Sequence, residues 1–158
     1  MSTNTKISQK FTIGDVVRSN TAIRMNITEQ QTPPAVVITY ASHLATTVLD
    51  KVPGPFSINS WYRSPRLNKA VKGATNSDHM LGCAADLDTA NDARNGEVFN
   101  FIRLHCDYDQ LIWEFGDNVN PSWVHVSCKP TGNRHEVLLA YKDATGKTKY
   151  KGYNPLNK

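Results

Sequence analysis

The segment SDHMLGCAAD (77–86) places a histidine and a carboxylate on either side of a run of small residues. His79 and Asp86 are both residue types that bind metal ions, but their spacing of seven suits no regular element. On a helix the two side chains would lie roughly 10 Å apart along the axis, and on a strand they would point to opposite faces. A loop that bends at Gly82 and continues as a strand could bring both onto one ion. We therefore predict that His79 lies on a loop and Asp86 on a strand.

A third candidate metal ligand occurs in the run SWVHVSC (122–128). Alternation along a strand would place His125 on the face opposite Val124 and Val126, so that the imidazole projects from a strand whose other face is apolar. Two histidines and one carboxylate, with a fourth position left open, are a common ligand set at catalytic zinc sites. A histidine in a strand is also often a core or rim residue, so the spacing alone leaves both interpretations open.

A candidate acid–base residue lies in the run LIWEF (111–115). Alternation places Glu114 on the face away from Leu111, Trp113 and Phe115. The polar segment GDNVNP (116–121) joins it to the run that carries His125 and has the character of a hairpin loop. If the two strands pair, Glu114 and His125 approach each other across the hairpin.

Helical periodicity and turn signals predict the elements that must position these residues. Thr12 is a candidate N-cap for a short first helix, with Asp15 at the third helical position. The predicted helices span residues 11–18, 35–50, 67–72 and 96–105. The predicted strands span residues 56–62, 83–86, 110–115, 122–128 and 135–141. Helices early in the chain and an antiparallel sheet late in it predict an α+β domain rather than alternating βαβ units.

Length and composition limit the class of protein. The 158 residues fit one domain, so we predict a single domain over residues 1–158, with residues 1–10 as a loose N-terminal arm. The content of 39% hydrophobic and 20% charged residues is typical of a soluble globular protein, and no apolar run reaches the roughly 20 residues of a membrane span. The first residues lack the apolar core of a secretory signal, which predicts a cytoplasmic location at synthesis.

Charge and cysteine content narrow the choice of partner and chemistry. The net charge of +4 favours a polyanionic partner, but no basic stripe interleaves with aromatic residues, which argues against nucleic-acid binding. Cys83, Cys106 and Cys128 are odd in number and widely spaced, so they predict free thiols rather than a disulfide framework. A nucleophilic pair of Cys83 and His79 lacks a matching sequence signature.

The pattern Ser77-x-His79-x-x-Gly82-x-Ala84-x-Asp86, together with the flanking runs, resembles a family of zinc-dependent peptidoglycan peptidases. The family contains D-alanyl-D-alanine carboxypeptidases and L-alanyl-D-glutamate endopeptidases, including many phage endolysins. The flanking runs that carry the resemblance are SWYRSP (60–65), LIWEF (111–115) and SWVHVS (122–127). The early segment FTIGDVVRSNTAIRMNI (11–27) is similar to the compact single-domain members, which lack a separate wall-binding domain.

The resemblance implies that His79, Asp86 and His125 bind Zn²⁺. It also implies the small α+β fold shared with the hedgehog signalling domain, a central antiparallel sheet with flanking helices. Arg63 would face the substrate, where its guanidinium could hold a carboxylate or polarise the scissile carbonyl.

One departure from the family pattern concerns the general base. Several members carry Glu or Asp three residues before the last histidine, whereas this chain has Ser122. The base would then be Glu114, in a QLIWE segment that is similar to that of the compact members. In the implied reaction Glu114 takes a proton from a zinc-activated water, and the hydroxide attacks a peptide carbonyl polarised by zinc and Arg63.

Three further residues are candidates for contacts around the site. Ser77 could orient the His79 loop by hydrogen bonds, although turn-forming serines are common. Asp88 could support the metal ligands from two residues beyond Asp86, or be a solvated carboxylate at a strand end. Trp123 could line the substrate cleft.

The resulting expectation is a monomeric zinc metallopeptidase that hydrolyses an amide bond of the peptidoglycan stem peptide during cell-wall lysis. D-Ala-D-Ala carboxypeptidase, L-Ala-D-Glu endopeptidase and cross-link endopeptidase activities all remain open, since no residue type fixes the shape of the cleft. The alternatives are a non-enzymatic, hedgehog-like zinc module and a virion-associated structural protein with wall-degrading activity. A phage enzyme would reach the wall through a holin, through lysis of the host, or within the virion.

Overall fold

The computed structural model describes residues 2–156 and places five α-helices and six β-strands along the chain. The helices are α1 (Ile13–Val17), α2 (Asn20–Arg24), α3 (Ala35–Leu44), α4 (Pro65–Ala70) and α5 (Asn95–His105). The strands are β1 (Ser57–Ser60), β2 (Ala84–Asp88), β3 (Gln110–Glu114), β4 (Trp123–Ser127), β5 (Glu136–Lys142) and β6 (Thr148–Gly152). Short 3₁₀ turns lie at Thr28–Gln31, Asp78–Leu81 and Ala90–Asp92, and α3 continues into a π-helical turn at Ala45–Leu49.

The six strands form one mixed sheet in the order β1-β2-β4-β3-β5-β6. The pairs are antiparallel except for β3 and β5, which run parallel. The predicted hairpin of β3 and β4 is confirmed. Strand β6 falls outside the sequence predictions, because its sequence TKYKG has no apolar alternation.

Helices α3 and α5 pack against one face of the sheet, whereas Asp86, Glu114 and His125 lie on the other face, called the open face here. Side chains of α3 and α5, including Leu44 and Phe99, pack with Trp113 of β3 and Val124 of β4 in a single core cluster. These side chains are almost completely buried, and apolar burial of this kind is the main source of stability in a domain of this size. The α+β class is thereby confirmed, and the open face is available for a functional site.

The first helix is set by the predicted cap. The Thr12 side chain accepts a hydrogen bond from the Asp15 amide, and the Asp15 carboxylate accepts one from the Thr12 amide, which completes a capping box. Within the segment 2–10, Ser8, Gln9 and Lys10 donate hydrogen bonds to the Asp50 carboxylate at the end of the π-helical turn.

Candidate metal centre and substrate cleft

The first two residues of the site lie where the sequence predicts them. His79 belongs to the turn Asp78–Leu81, whose Ser77 hydroxyl accepts a hydrogen bond from the His79 amide. Gly82 then adopts φ +78°, and a Cβ atom there would lie 2.8 Å from the Val37 Cγ1 atom, so the bend requires glycine. The chain continues directly into β2, which carries Asp86.

Strand pairing brings His125 to the same place. In the antiparallel register of β2 and β4, Asp86 and His125 are directly opposite partners. The His125 Nδ1 atom lies 3.0 Å from Asp86 Oδ1, and the His79 Nε2 atom lies 3.4 Å from Asp86 Oδ2. Each of the three residues offers one ligand atom, and these atoms lie within 4.8 Å of one another.

The three side chains fit a zinc ion in chemistry and in spacing. Two ligand atoms bound to one tetrahedral zinc at about 2.0–2.1 Å lie roughly 3.3 Å apart. The separations from the Asp86 carboxylate, one to each of its oxygens, are close to this distance. The His79 Nδ1 atom lies 2.7 Å from the Trp61 carbonyl oxygen, which can only accept a hydrogen bond. Nδ1 therefore carries the proton, and the unprotonated Nε2 is left to bind a metal.

Electrostatics in the cluster favour an ionised aspartate. Burial alone would raise the pKa of Asp86, but the neighbouring His79 and His125 outweigh burial and hold this pKa well below its usual range. Burial alone would lower the pKa of His125, but the hydrogen bond to Asp86 and the negative charges of Asp86 and Glu114 together outweigh burial and raise that pKa. Without a metal the cluster therefore stabilises an ionised Asp86 and a protonated His125, and binding of a cation would displace the His125 proton.

Arg63 lies against this cluster and is held by several contacts. Its Nε atom donates to the Ser60 hydroxyl at 3.1 Å, and its Nη1 atom donates to Asn68 Oδ1 at 2.9 Å. Its Nη2 atom lies 3.8 Å from Asp86 Oδ2, and its backbone amide donates to the His79 carbonyl at 3.0 Å. The guanidinium is thus fixed beside the candidate metal ligands, where it can meet a substrate oxygen.

Glu114 is a buried carboxyl group on the same open face of the sheet. It pairs with Trp123 in the register of β3 and β4. The next pair on the same face, two residues along each strand, is Ile112 and His125. Within the described part of the chain its carboxylate makes no hydrogen bond or ion pair, and the residue is 7% exposed. Burial raises the pKa of Glu114 to about 7, with His125 opposing the shift and Asp86 adding to it. A carboxyl group with a pKa near neutrality is suited to proton transfer.

These side chains line a cleft of about 800 Å³ on the open face of the sheet. Trp123, the sequence candidate for the cleft wall, lines it, and so does Ser77. Lys142 and Tyr150, from β5 and β6, also line it, and no sequence signal marked them for this role. The cleft is large enough to hold a short peptide segment.

Two residues singled out in the sequence lie away from this arrangement. Asp88 accepts a hydrogen bond from the Asn95 side chain at 2.8 Å and does not line the cleft. Cys83 is completely buried, and burial raises the pKa of its thiol to about 12. A thiol with so high a pKa remains protonated at neutral pH, which argues against a cysteine nucleophile.

Sequence reasoning also missed Gln30, a buried residue that supports the site. Gln30 is completely buried and donates from Nε2 to the carbonyls of Val17 and Tyr62, at 3.0 and 2.8 Å. Its Oε1 atom accepts from the Ser64 amide at 2.8 Å. Gln30 therefore holds the backbone on both sides of Arg63.

In this α+β domain, two histidines and a carboxylate converge on the open face of the sheet, beside a buried glutamate. These features define a candidate metal-dependent hydrolase. The family model for Peptidase M15 matches residues 9–127, about three quarters of the chain, and the chain belongs to the peptidase M15 family. Peptidases of this family are zinc-dependent and act on peptidoglycan, which assigns the chain as a hydrolase of that general class. No curated protein sequence matches the chain. Among the described residues, no helix is both long and apolar enough to cross a membrane.

Proposed function

We propose that the chain is a zinc metallopeptidase that hydrolyses an amide bond of the peptidoglycan stem peptide. One observation carries this proposal: candidate ligand atoms of His79, Asp86 and His125 lie within 4.8 Å of one another, in a cleft large enough for a short peptide. The candidate bonds are D-Ala-D-Ala, L-Ala-D-Glu and the peptide cross-link. The setting we propose is cell-wall lysis, as performed by the compact phage endolysins that the sequence resembles.

His79 Nε2, Asp86 and His125 Nδ1 would hold the zinc ion. When bound, zinc would supply a Lewis acid that lowers the pKa of a water molecule and polarises the scissile carbonyl. The Glu114 carboxylate would accept a proton from that water and then donate it to the amine nitrogen as the carbon–nitrogen bond breaks. The water oxygen ends in the new carboxylate, so one water is consumed for each bond cleaved.

Arg63 and the protein around it would position the substrate. The fixed Arg63 guanidinium offers donors to the scissile carbonyl oxygen, where negative charge develops during attack. The ring of Trp123 packs edge-on against Phe115, with centroids 5.4 Å apart, and both residues line the cleft. They would offer an apolar wall to the methyl groups of alanine residues.

Zinc content and product mass together test this function. Purified protein is expected to bind about one zinc ion per chain and to cleave a defined muropeptide at one bond, identified by mass spectrometry. His79→Ala should lose both properties because it removes a ligand. His105→Ala is the matched control, since His105 is exposed at the end of α5 and lies outside the cleft.

The outcomes separate the proposal from its alternatives. Zinc binding without cleavage of any muropeptide would favour the non-enzymatic, hedgehog-like module. Cleavage that persists in His79→Ala would refute the proposed metal site. Recovery of the protein in purified phage particles, rather than in the late lysate alone, would favour a virion-associated role.

A further inference from the structure

A second groove opens beside the catalytic cleft. It encloses about 360 Å³ and shares Arg63, Val71 and Gly73 with the cleft. Its other lining residues, mostly polar, come from the start of α2 and the residues before it, from β1 and the segment after it, and from α4: Arg18, Ser19, Thr21, Asn59, Ser60, Tyr62 and Leu67. The shared residues place the groove directly next to the cleft.

The charges of the groove are all of one sign. Arg18 and Arg63 are its charged lining residues, and no carboxylate is among them. Arg18 is exposed, and within the described residues it makes no hydrogen bond or ion pair. The nearby carboxylates already have partners: Asp86 lies 3.8 Å from Arg63 on the cleft side, Glu29 pairs with Arg66 at 3.1 Å, and Asp88 accepts from Asn95. An unpaired guanidinium beside a fixed one is a site for an anion, and arginine is suited to binding carboxylates.

The junction between the two spaces depends on a glycine. A Cβ atom at Gly73 would lie 2.7 Å from the Nη1 atom of Arg63, so the backbone packs directly against the guanidinium. Asn68 and Ser60 hold the same guanidinium from other sides. Arg63 is therefore kept at the point where the cleft and the groove meet.

We propose that this groove is a subsite that binds a free carboxylate of the substrate, with Arg18 as its specificity-determining residue. This inference rests on the proposed peptidase function. A compact volume of 360 Å³ is on the order of 9 Å across, which corresponds to roughly two to three residues of extended peptide at about 3.3 Å each. The carboxylate bound there belongs to a residue within that distance of the scissile bond. Two groups of a stem peptide meet this description, the α-carboxylate of the D-glutamyl residue and the C-terminal carboxylate.

Paired substrates test the subsite. The probes are a synthetic stem pentapeptide and two analogues, one with D-isoglutamine in place of D-isoglutamate and one with a C-terminal amide. Arg18→Ala is expected to lower kcat/KM about tenfold for the substrate with the recognised carboxylate, mainly through KM, and at most about threefold for the matching amide. Arg18→Lys should recover part of the loss because it restores the charge without the planar fork.

Arg24→Ala is the matched control, because Arg24 is exposed, unpaired within the described residues, and outside the groove. It removes the same charge from the same region and should leave all three rates unchanged. The unmodified protein should cleave the pentapeptide faster than the analogue that lacks the recognised carboxylate. The analogue for which this difference disappears in Arg18→Ala identifies which carboxylate is bound. Equal losses on all three substrates, or no loss on any, would overturn the subsite and leave the peptidase function standing. Absence of cleavage by the unmodified protein would overturn both.

Discussion

Glu114 shows how the position of one residue can define its chemistry. The sequence places it on the polar side of its strand, and the pairing of β3 with β4 brings it next to the pair of Ile112 and His125. It is buried without a partner among the described residues, an arrangement that costs stability and is typical of a functional carboxyl group. Ser122, which stands where several related peptidases carry their base, has its amide bonded to the Glu114 carbonyl. The two positions are therefore adjacent, and a base at Glu114 could act in the same part of the cleft.

Replacement of Glu114 by glutamine tests its role as base. We expect Glu114→Gln to retain zinc and to lower kcat by about 10²–10⁴-fold, because the amide cannot accept the proton. In the unmodified enzyme kcat/KM should fall as the pH drops through the pKa of Glu114, since the base must be ionised. That pKa is about 7 without metal, and the positive charge of zinc would lower it, so the midpoint should lie at or below pH 7.

The pH profile and zinc content are measured on the same preparations. Glu97→Gln is the control, because Glu97 is exposed on α5 and pairs with Arg94 at the surface. If the residual kcat/KM of Glu114→Gln still fell at low pH with the same midpoint, the titrating group would be a residue other than Glu114.

At the level of elements, the segment 61–64 joins the two halves of the site. The Trp61 carbonyl accepts the hydrogen bond that orients His79, and the Arg63 amide donates to the His79 carbonyl. Gln30 holds this segment through Tyr62 and Ser64. The candidate metal ligand and the guanidinium are therefore positioned by one short stretch of backbone.

Replacing Gln30 should disturb both stability and catalysis. Gln30→Ala removes three buried hydrogen bonds and is expected to lower the free energy of unfolding by about 2–4 kcal/mol. At temperatures where the variant stays folded, kcat should still fall about tenfold, because Arg63 is no longer held in place. Gln31→Ala is the control, since Gln31 is the exposed neighbour in the same turn. A loss of stability with unchanged kcat would show that Gln30 has only a structural role.

The sequence predicts elements well where local signals are strong. The capping residues Thr12 and Asp15 define α1, and alternation around His125 defines both the strand and its functional face. Gln30 could not be predicted, because it lies in the polar stretch TEQQT (28–32), whose composition is typical of a surface turn. Its role depends on contacts with residues up to 34 positions away, and local patterns do not encode such contacts.

In the molecule as a whole, the sheet extends past the part of the chain that matches the family. The match ends at residue 127, the last residue of β4, whereas β5 and β6 follow it and supply Lys142 and Tyr150 to the cleft. The parallel pairing of β5 with β3 places these residues beside Glu114, whose register partner in β5 is Ala140. Parallel pairing joins strands that are distant along the chain, so neither alternation nor a turn motif predicts it.

Asp109 connects this added part of the sheet to the rest. Its side chain is buried and accepts two hydrogen bonds from the Arg134 guanidinium, each at 2.9 Å, and one from the Arg134 amide at 3.0 Å. Its backbone bonds to Ser127 at the end of β4 and to Glu136 at the start of β5. The hydrogen bonds from Arg134 lower the pKa of Asp109 to about 2.

This low pKa predicts how stability depends on pH. An aspartate whose pKa is lower in the folded state stabilises the protein at pH values above the pKa of the unfolded state, about 3.9. That stabilisation is lost as the pH falls toward 2. Asp109→Asn should therefore lower the free energy of unfolding by about 2 kcal/mol at pH 7 and less at pH 2. Asp107→Asn is the control, since Asp107 is exposed and bonded to His135, and it should change stability by less than about 1 kcal/mol. Urea unfolding of the three proteins between pH 2 and 7 measures these differences, and a constant gap between Asp109→Asn and the unmodified protein would contradict the assignment.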